Sequence, residues 1–203
     1  MRVTVFVSSS QGVDERYRAA VAAVGARLAA GGHELVYGGT GMGLMGVLAD
    51  SVRRGGSRVT GVVPRRFADR GLIDPDVDEL VVTDGMAARK QVMLERGEAF
   101  VALPGGFGTL DELLDVVSLR QLGYHDKPIV LFDVEGFYQP LLAAFQRFFD
   151  EGFADPALAT TYAAAQDLDT LFERLEAAGG GSDEARGGSD EDGAAASRWH
   201  GPR

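Results

Sequence analysis

Two short stretches hold the residues best suited to chemistry. In Pro104-Gly105-Gly106-Phe107-Gly108-Thr109-Leu110-Asp111-Glu112, an apolar run ending at Leu103 stops at a proline, crosses three glycines and restarts as a helix at Thr109. Backbone N–H groups with no side chain in their way, at the positive end of a helix, form an anion site. One turn further on, the carboxylate of Glu112 would sit beside a bound phosphosugar, where it could stabilise positive charge on the ribose or activate water. Thr109 and Glu112 also have the spacing of a capping box, in which the threonine caps an amide and the glutamate reaches back. On that reading Glu112 only starts a helix.

The second stretch runs from Gly85 to Met93, where Met86, Arg89, Lys90 and Met93 share one side by i, i+3, i+4, i+7 spacing. If that face looks into a crevice, Arg89 meets an anion or a developing negative charge. If it borders the core, the two basic stems snorkel to water.

Strand and helix must alternate to position these stretches. Val3 to Val7, Glu34 to Tyr37, Arg58 to Val63, Leu80 to Val82, Ala99 to Leu103 and Ile129 to Phe132 read as six strands, short apolar runs without period-two alternation. Helices are expected from Asp14 to Gly31, from the glycine run 38–46 to about Arg54, from an Asp84 cap to Arg96, through 109–122, 137–151 and 169–178. The passage 65–78 reads as polar and irregular, and 153–168 is ambiguous. Buried parallel strands have this continuous apolar character, so the fold class is α/β: a doubly wound, mostly parallel, Rossmann-like sheet with helices on both faces. Ligands of such sheets bind at the carboxyl ends of the strands. Three small-residue loops (8–12, 38–46, 104–109) fall there and should line one crevice. A single domain is expected over residues 1–178, followed by a disordered acidic Gly/Ser-rich tail over 179–203.

Composition removes several classes of function. The 203 residues carry no cysteine, so disulfides and thiolate chemistry are absent, and the three histidines are scattered without metal-ligand spacing. The net charge of −10 argues against sequence-independent nucleic-acid binding, which runs on basic contacts to phosphate. No apolar run approaches the ~20 residues of a membrane span, and the start lacks a signal-peptide pattern, so no membrane partner and a cytoplasmic location are expected. Gly41-Met42-Gly43-Leu44-Met45-Gly46 matches the dinucleotide fingerprint, but it follows the second strand. It also lacks an acid at the end of the third, where Val62-Val63-Pro64-Arg65-Arg66 stands. A structural glycine turn or a share in a mononucleotide pocket fits it better.

The motifs resemble, in order over about residues 1–150, those of the LOG ("Lonely Guy") phosphoribohydrolases, which release cytokinin bases from riboside 5′-monophosphates. Pro104 to Glu112 is similar to the family's PGGxGTxxE, and Arg89-Lys90 after Met86 to its MHxRK. Tyr37-Gly38-Gly39 with Gly43-Leu44-Met45-Gly46 resembles YGGGxxGLMG, Ser9-Ser10-Gln11-Gly12 resembles SSxG, and Gln121 to Pro128 resembles QLGIHxKP. The resemblance implies hydrolysis of the N-glycosidic bond of AMP or an N6-substituted AMP, with Arg89 and Glu112 catalytic. Lys90 and the loop Gly105, Gly106, Phe107, Gly108, Thr109, Leu110 and Asp111 would hold the nucleotide, with Ser9, Gly39 and Met86 from the other matched motifs. It implies a homodimer and needs neither metal nor redox cofactor. A crowd of apolar residues after Glu112 (Leu113, Leu114, Val116, Val117, Leu119, Leu122) is more than one stripe and also suggests a partner face. This chain departs from the family at Ala87, where a histidine is usual, at Thr40, the third glycine, and at Ser8. The alternative is a carrier or sensor of the same fold that binds a nucleotide or nucleotide-like cofactor without turnover.

Overall fold

A computed structural model describes residues 1–179. The disordered-tail expectation lies outside the described residues, apart from Gly179, the last residue of the final helix. Seven strands form one sheet: β1 (Arg2–Phe6), β2 (Glu34–Tyr37), β3 (Val59–Pro64), β4 (Glu79–Thr83), β5 (Ala99–Ala102), β6 (Ile129–Phe132) and β7 (Ala163–Ala165). Their order is β4-β3-β2-β1-β5-β6-β7. Every pairing is parallel, as in Val5 beside Val101 and Val36 beside Thr60.

The helices are α1 (Glu15–Ala30), α2 (Gly43–Arg54), the one-turn α3 (Arg65–Ala68), α4 (Met86–Arg96), α5 (Phe107–Gln121), α6 (Gln139–Asp150) and α7 (Leu168–Gly179). One core packs α1, α2 and α7 on Val3, Val5, Leu35, Val59, Val101 and Val130. The other packs α4 and α5 on Phe6, Val36, Phe100, Ala102, Ile129 and Leu131. Alternate residues of a strand thus face opposite layers, and burial on both sides is why the strands read as unbroken apolar runs.

The chain winds outward from β1 to β4 on one side and from β5 to β7 on the other. The point of reversal lies between β1 and β5, where loops part and leave a crevice.

Local signals were of mixed accuracy. Asp14 caps α1, its carboxylate accepting from the Arg16 amide at 3.0 Å. Asp84 does not cap α4; Gly85 holds that position with no side-chain cap. The irregular passage 65–78 contains α3, and the ambiguous stretch contains a 3₁₀ turn (Pro156–Thr161) and the edge strand β7. A three-alanine strand has no pattern to announce it. It exists because β6 offers it an open edge, pairing Val130 to Phe132 with Ala163 to Ala165.

Candidate functional site

The main-chain path fixes the site first. α5 begins at Phe107, two residues before the threonine, with Gly106 as N-cap and no side-chain cap bond. Thr109 is therefore inside the first turn, and Glu112 is too far along to reach back to the cap. The capping-box reading does not hold, so Glu112 has no part in starting the helix. The first helix-closing amide here is Leu110 N, which donates to Gly106 O at 3.0 Å. The amides before it are left without helical partners, as at any helix start. Phe107 points away from the core and is 93% exposed.

These amides open on a cavity of about 450 Å³ at the reversal between β1 and β5. The loop after β1 contributes Ser8, Ser9 and Ser10, and that after β2 contributes Gly38 and Thr40. α3 and α4 add Phe67, Met86 and Arg89, and α5 adds Gly106, Phe107, Gly108, Thr109 and Glu112. The three small-residue loops do meet.

Arg89 and Glu112, 23 residues apart in sequence, join at the floor: Arg89 Nη1 lies 2.9 Å from Glu112 Oε1. They are 5% and 4% exposed. Arg89 Nε donates to the carbonyl of Val62 at 3.0 Å, which fixes the guanidinium plane. Burial pushes the Glu112 carboxyl above the ordinary range, and the facing Arg89 guanidinium opposes that shift. The pair is a buried carboxylate whose charge depends on its neighbour.

Gly38 is what lets Arg89 lie where it does. A Cβ there would collide with Arg89 Nη2 and press on Met45. The loop that follows is tied down by Asp74, whose amide donates to Gly39 O at 2.8 Å. The Asp74 carboxylate accepts from Tyr37 Oη (2.7 Å), Arg53 Nη1 (2.8 Å) and the Asp76 amide (3.1 Å). Burial alone would raise its pKa, but the bonds from Arg53 and Tyr37 outweigh burial and hold it below the usual range. No sequence signal links Asp74 to Arg53. Phe67 and Asp74 were missed by sequence reasoning, and Gly38 was read only as part of the 38–46 loop and its motif; an apolar residue inside the polar passage 65–78 was the one available hint, for Phe67.

Other predicted residues lie apart from this lining. Lys90 Nζ pairs with Asp111 at 3.1 Å and Asp115 at 3.7 Å, between α4 and α5. Leu110 packs against the α4–α5 core. Gly39, at φ +72°, lies against β3. Gly105 faces a smaller recess of about 180 Å³ that shares Ser8, Ser10 and Gly106 with the cavity wall. Ala87 is exposed and not part of the wall.

The glycines of the dinucleotide-like run are used for close packing. Gly43, at φ +57°, lies against the Ser9–Ser10 backbone, Gly46 lies against Gly41 O, and the Met45 amide donates to Ser8 O at 3.2 Å. An amide of the α2 N-terminus is thus spent within the protein.

A protein family described as "Possible lysine decarboxylase" matches residues 45–175. A pyridoxal-type decarboxylase needs a lysine at the cofactor. The chain has two lysines: Lys90 is in the pairs just given, and Lys127 Nζ donates to Leu94 O at 2.7 Å. Neither lines the cavity, which does not suit that cofactor.

The chain is 41% identical over 175 residues to the rice (Oryza sativa subsp. japonica) "Probable cytokinin riboside 5'-monophosphate phosphoribohydrolase LOGL2", covering 86% of this chain and 72% of that protein. It is 39% identical to the Arabidopsis thaliana "Cytokinin riboside 5'-monophosphate phosphoribohydrolase LOG3", covering 86% of this chain and 81% of that protein. Among solved structures, a molybdenum cofactor binding protein from Rippkaea orientalis superposes with a TM-score of 0.67 at 18% identity, covering 87% of this chain and 95% of that one. A molybdenum cofactor carrier protein from Chlamydomonas reinhardtii gives 0.66 at 23%, covering 88% and 98%. At such identities these two likenesses show the shared fold. The extent and level of the sequence matches go further: the chain belongs to the LOG family of phosphoribohydrolases.

Proposed function

We propose that the protein hydrolyses the N-glycosidic bond of AMP or an N6-substituted AMP, giving the free base and ribose 5-phosphate. The observation that carries this is the 2.9 Å Arg89–Glu112 pair buried beside the unpartnered first amides of α5. The phosphate would rest on the amides from Gly106 to Thr109, where the helix dipole favours an anion. Ser9 and Met86 would border the nucleotide. Gly39, Gly105 and Leu110 would shape its seat from behind, and Lys90 with Asp111 would brace the first turn of α5.

In the reaction the C1′–N bond breaks with its electron pair going to the base. Positive charge develops on the ribose ring, and the Glu112 carboxylate stabilises it. A water oxygen then bonds to C1′; one of the water's protons stays on the new C1′ hydroxyl and the other goes, directly or through solvent, to the departing base. Glu112 would orient that water, while Arg89 offsets negative charge on the base. Arg89 has a second effect, since its charge favours the ionised form of Glu112 against burial. Neither a metal nor a redox cofactor takes part. The family relatives, named as phosphoribohydrolases, favour this reading over a carrier of the same fold.

The same reading includes a single catalytic domain over residues 1–178, a homodimer and a cytoplasmic location. Among the described residues no helix is long and apolar enough to cross a membrane. Between α5 and α6 runs an apolar groove of about 560 Å³ whose lining includes Leu114, Phe148, Phe153 and Tyr162. Leu114 and Phe148 are half-exposed and Phe153 is exposed, a patch of the kind that protein partners cover. Sedimentation should show a dimer at micromolar concentration; a monomer there would remove that part.

The deciding experiment is incubation with AMP and with N6-isopentenyl-AMP, following free base and ribose 5-phosphate. Glu112→Gln, which keeps the shape but not the charge, should lower kcat by roughly 10²–10³-fold. Wild-type rates from that variant would end the catalytic assignment.

A further inference from the structure

Thr40 belongs to the cavity wall and is 7% exposed, yet its Oγ1 is buried with no hydrogen-bond partner among the described residues. A buried hydroxyl left unpaired is unfavourable, and native structures keep few of them. Two imidazole nitrogens share the condition, His33 Nε2 and His125 Nδ1, but neither histidine lines the cavity. Among the described residues, Thr40 is therefore the cavity-wall side chain with an unpartnered buried polar atom, and that hydroxyl, which has almost no accessible surface, meets a ligand in the cavity once it turns toward it.

The loop cannot relieve the hydroxyl by moving away. Gly39 O, immediately before it, is held by the Asp74 amide at 2.8 Å, and Asp74 is held in turn by Tyr37 and Arg53. Gly41, immediately after it, is pinned beneath Gly46. The side chain has more freedom than its backbone, because one χ1 step between staggered wells carries the hydroxyl to another of the three positions around Cβ.

We propose that Thr40 is a substrate-binding residue whose hydroxyl bonds an oxygen of the sugar–phosphate portion of the bound nucleoside monophosphate. This rests on the nucleotide reading of the cavity. It concerns binding rather than bond cleavage, because Thr40 carries no charge to stabilise a transition state.

The test uses Thr40→Val, which replaces the hydroxyl by a methyl of the same shape, and Thr40→Ser, which restores it. AMP affinity is measured by calorimetry, with KM and kcat from ribose 5-phosphate release and thermal midpoints of the free proteins. Thr40→Val should weaken AMP binding and raise KM by roughly 5- to 50-fold while kcat stays within about threefold of wild type. Its free form should melt no lower than wild type, since an unpaired hydroxyl has been removed. Thr40→Ser should bind within about threefold of wild type.

Opposite signs for binding and stability separate this role from a structural one. A Thr40→Val protein that binds AMP as wild type does, or that melts lower and is not rescued by serine, overturns the proposal. If Thr40→Val does not fold, Thr40→Ala takes its place with the same readouts. A wild-type protein that fails to bind AMP would instead remove the nucleotide reading, and Thr40 with it. Wild-type binding with an unaffected valine variant would remove Thr40 alone.

Discussion

Gly38→Ala adds one methyl group at the point where the backbone passes Arg89, and the structure says which neighbour must give. The backbone of Gly38 is outside the left-handed region, so alanine brings no conformational strain. Its Cβ would meet Met45 Cε at 2.8 Å and Sδ at 2.9 Å, and would collide with Arg89 Nη2. The methionine can swing aside, because its thioether end is flexible. The guanidinium cannot: Nε is bonded to Val62 O at 3.0 Å, Nη1 faces Glu112 at 2.9 Å, and the side chain is enclosed. Moving it stretches both bonds.

Overpacking of this kind costs about 1–3 kcal/mol, which at ~2–4 °C per kcal/mol for a chain of this size lowers Tm by roughly 2–12 °C. A catalytic group displaced by ~1 Å costs on the order of 10²-fold in rate. The assay is ribose 5-phosphate release beside a melting curve, with Gly12→Ala as control, since a Cβ at Gly12 meets nothing within 4 Å. Alanine at 38 with wild-type kcat would refute the claim that Arg89 is held rigidly against this backbone for catalysis.

Further outcomes follow from the same geometry. Because burial raises the Glu112 carboxyl, kcat/KM should fall on the acid side with an apparent pKa above the ordinary ~4.3 of glutamate. Between the unfolded and folded values the folded state binds more protons, so stability linked to Glu112 rises as pH falls through that window; urea melts of wild type and Glu112→Gln against pH would show otherwise if their slopes match. Asp74 has the opposite sign: its lowered pKa gives stability present above ~3.9 and lost as pH falls through the folded value. Asp74→Ala leaves Tyr37 without its acceptor and Arg53 with Asp50 alone, and should cost about 1–3 kcal/mol; no measurable shift by denaturant titration would contradict the clamp. Lys90→Met breaks a half-exposed pair of about 0.2–1 kcal/mol, so KM should rise by no more than ~5-fold with kcat kept. A loss of kcat would place Lys90 at the reacting bond.

Adjacent residues were enough for several features. The apolar runs separated by glycine turns specify a parallel sheet covered on both faces, because buried strands need no polar side. The glycine loop before α5 declares an anion site, since a helix start with no side chains leaves its amides bare. Arg89 and Glu112 were visible as candidates by type and by motif.

Their meaning was not decided locally. Thr109 and Glu112 have capping-box spacing, and only the helix beginning at Phe107 rules that use out. The edge strand at Ala163 to Ala165 has no pattern of its own and forms because β6 has an unpaired side. Lys90, one residue from Arg89, turns to Asp111 and Asp115 because successive helical residues point about a quarter-turn apart.

Sequence therefore determined which backbone could bend and which residues could carry charge. The order β2-β1-β5 brought Gly38, Arg89 and Glu112 to one wall, and the Asp74 clamp held the loop there. Contacts across 20 or more residues depend on how layers stack, and no local pattern encodes that stacking.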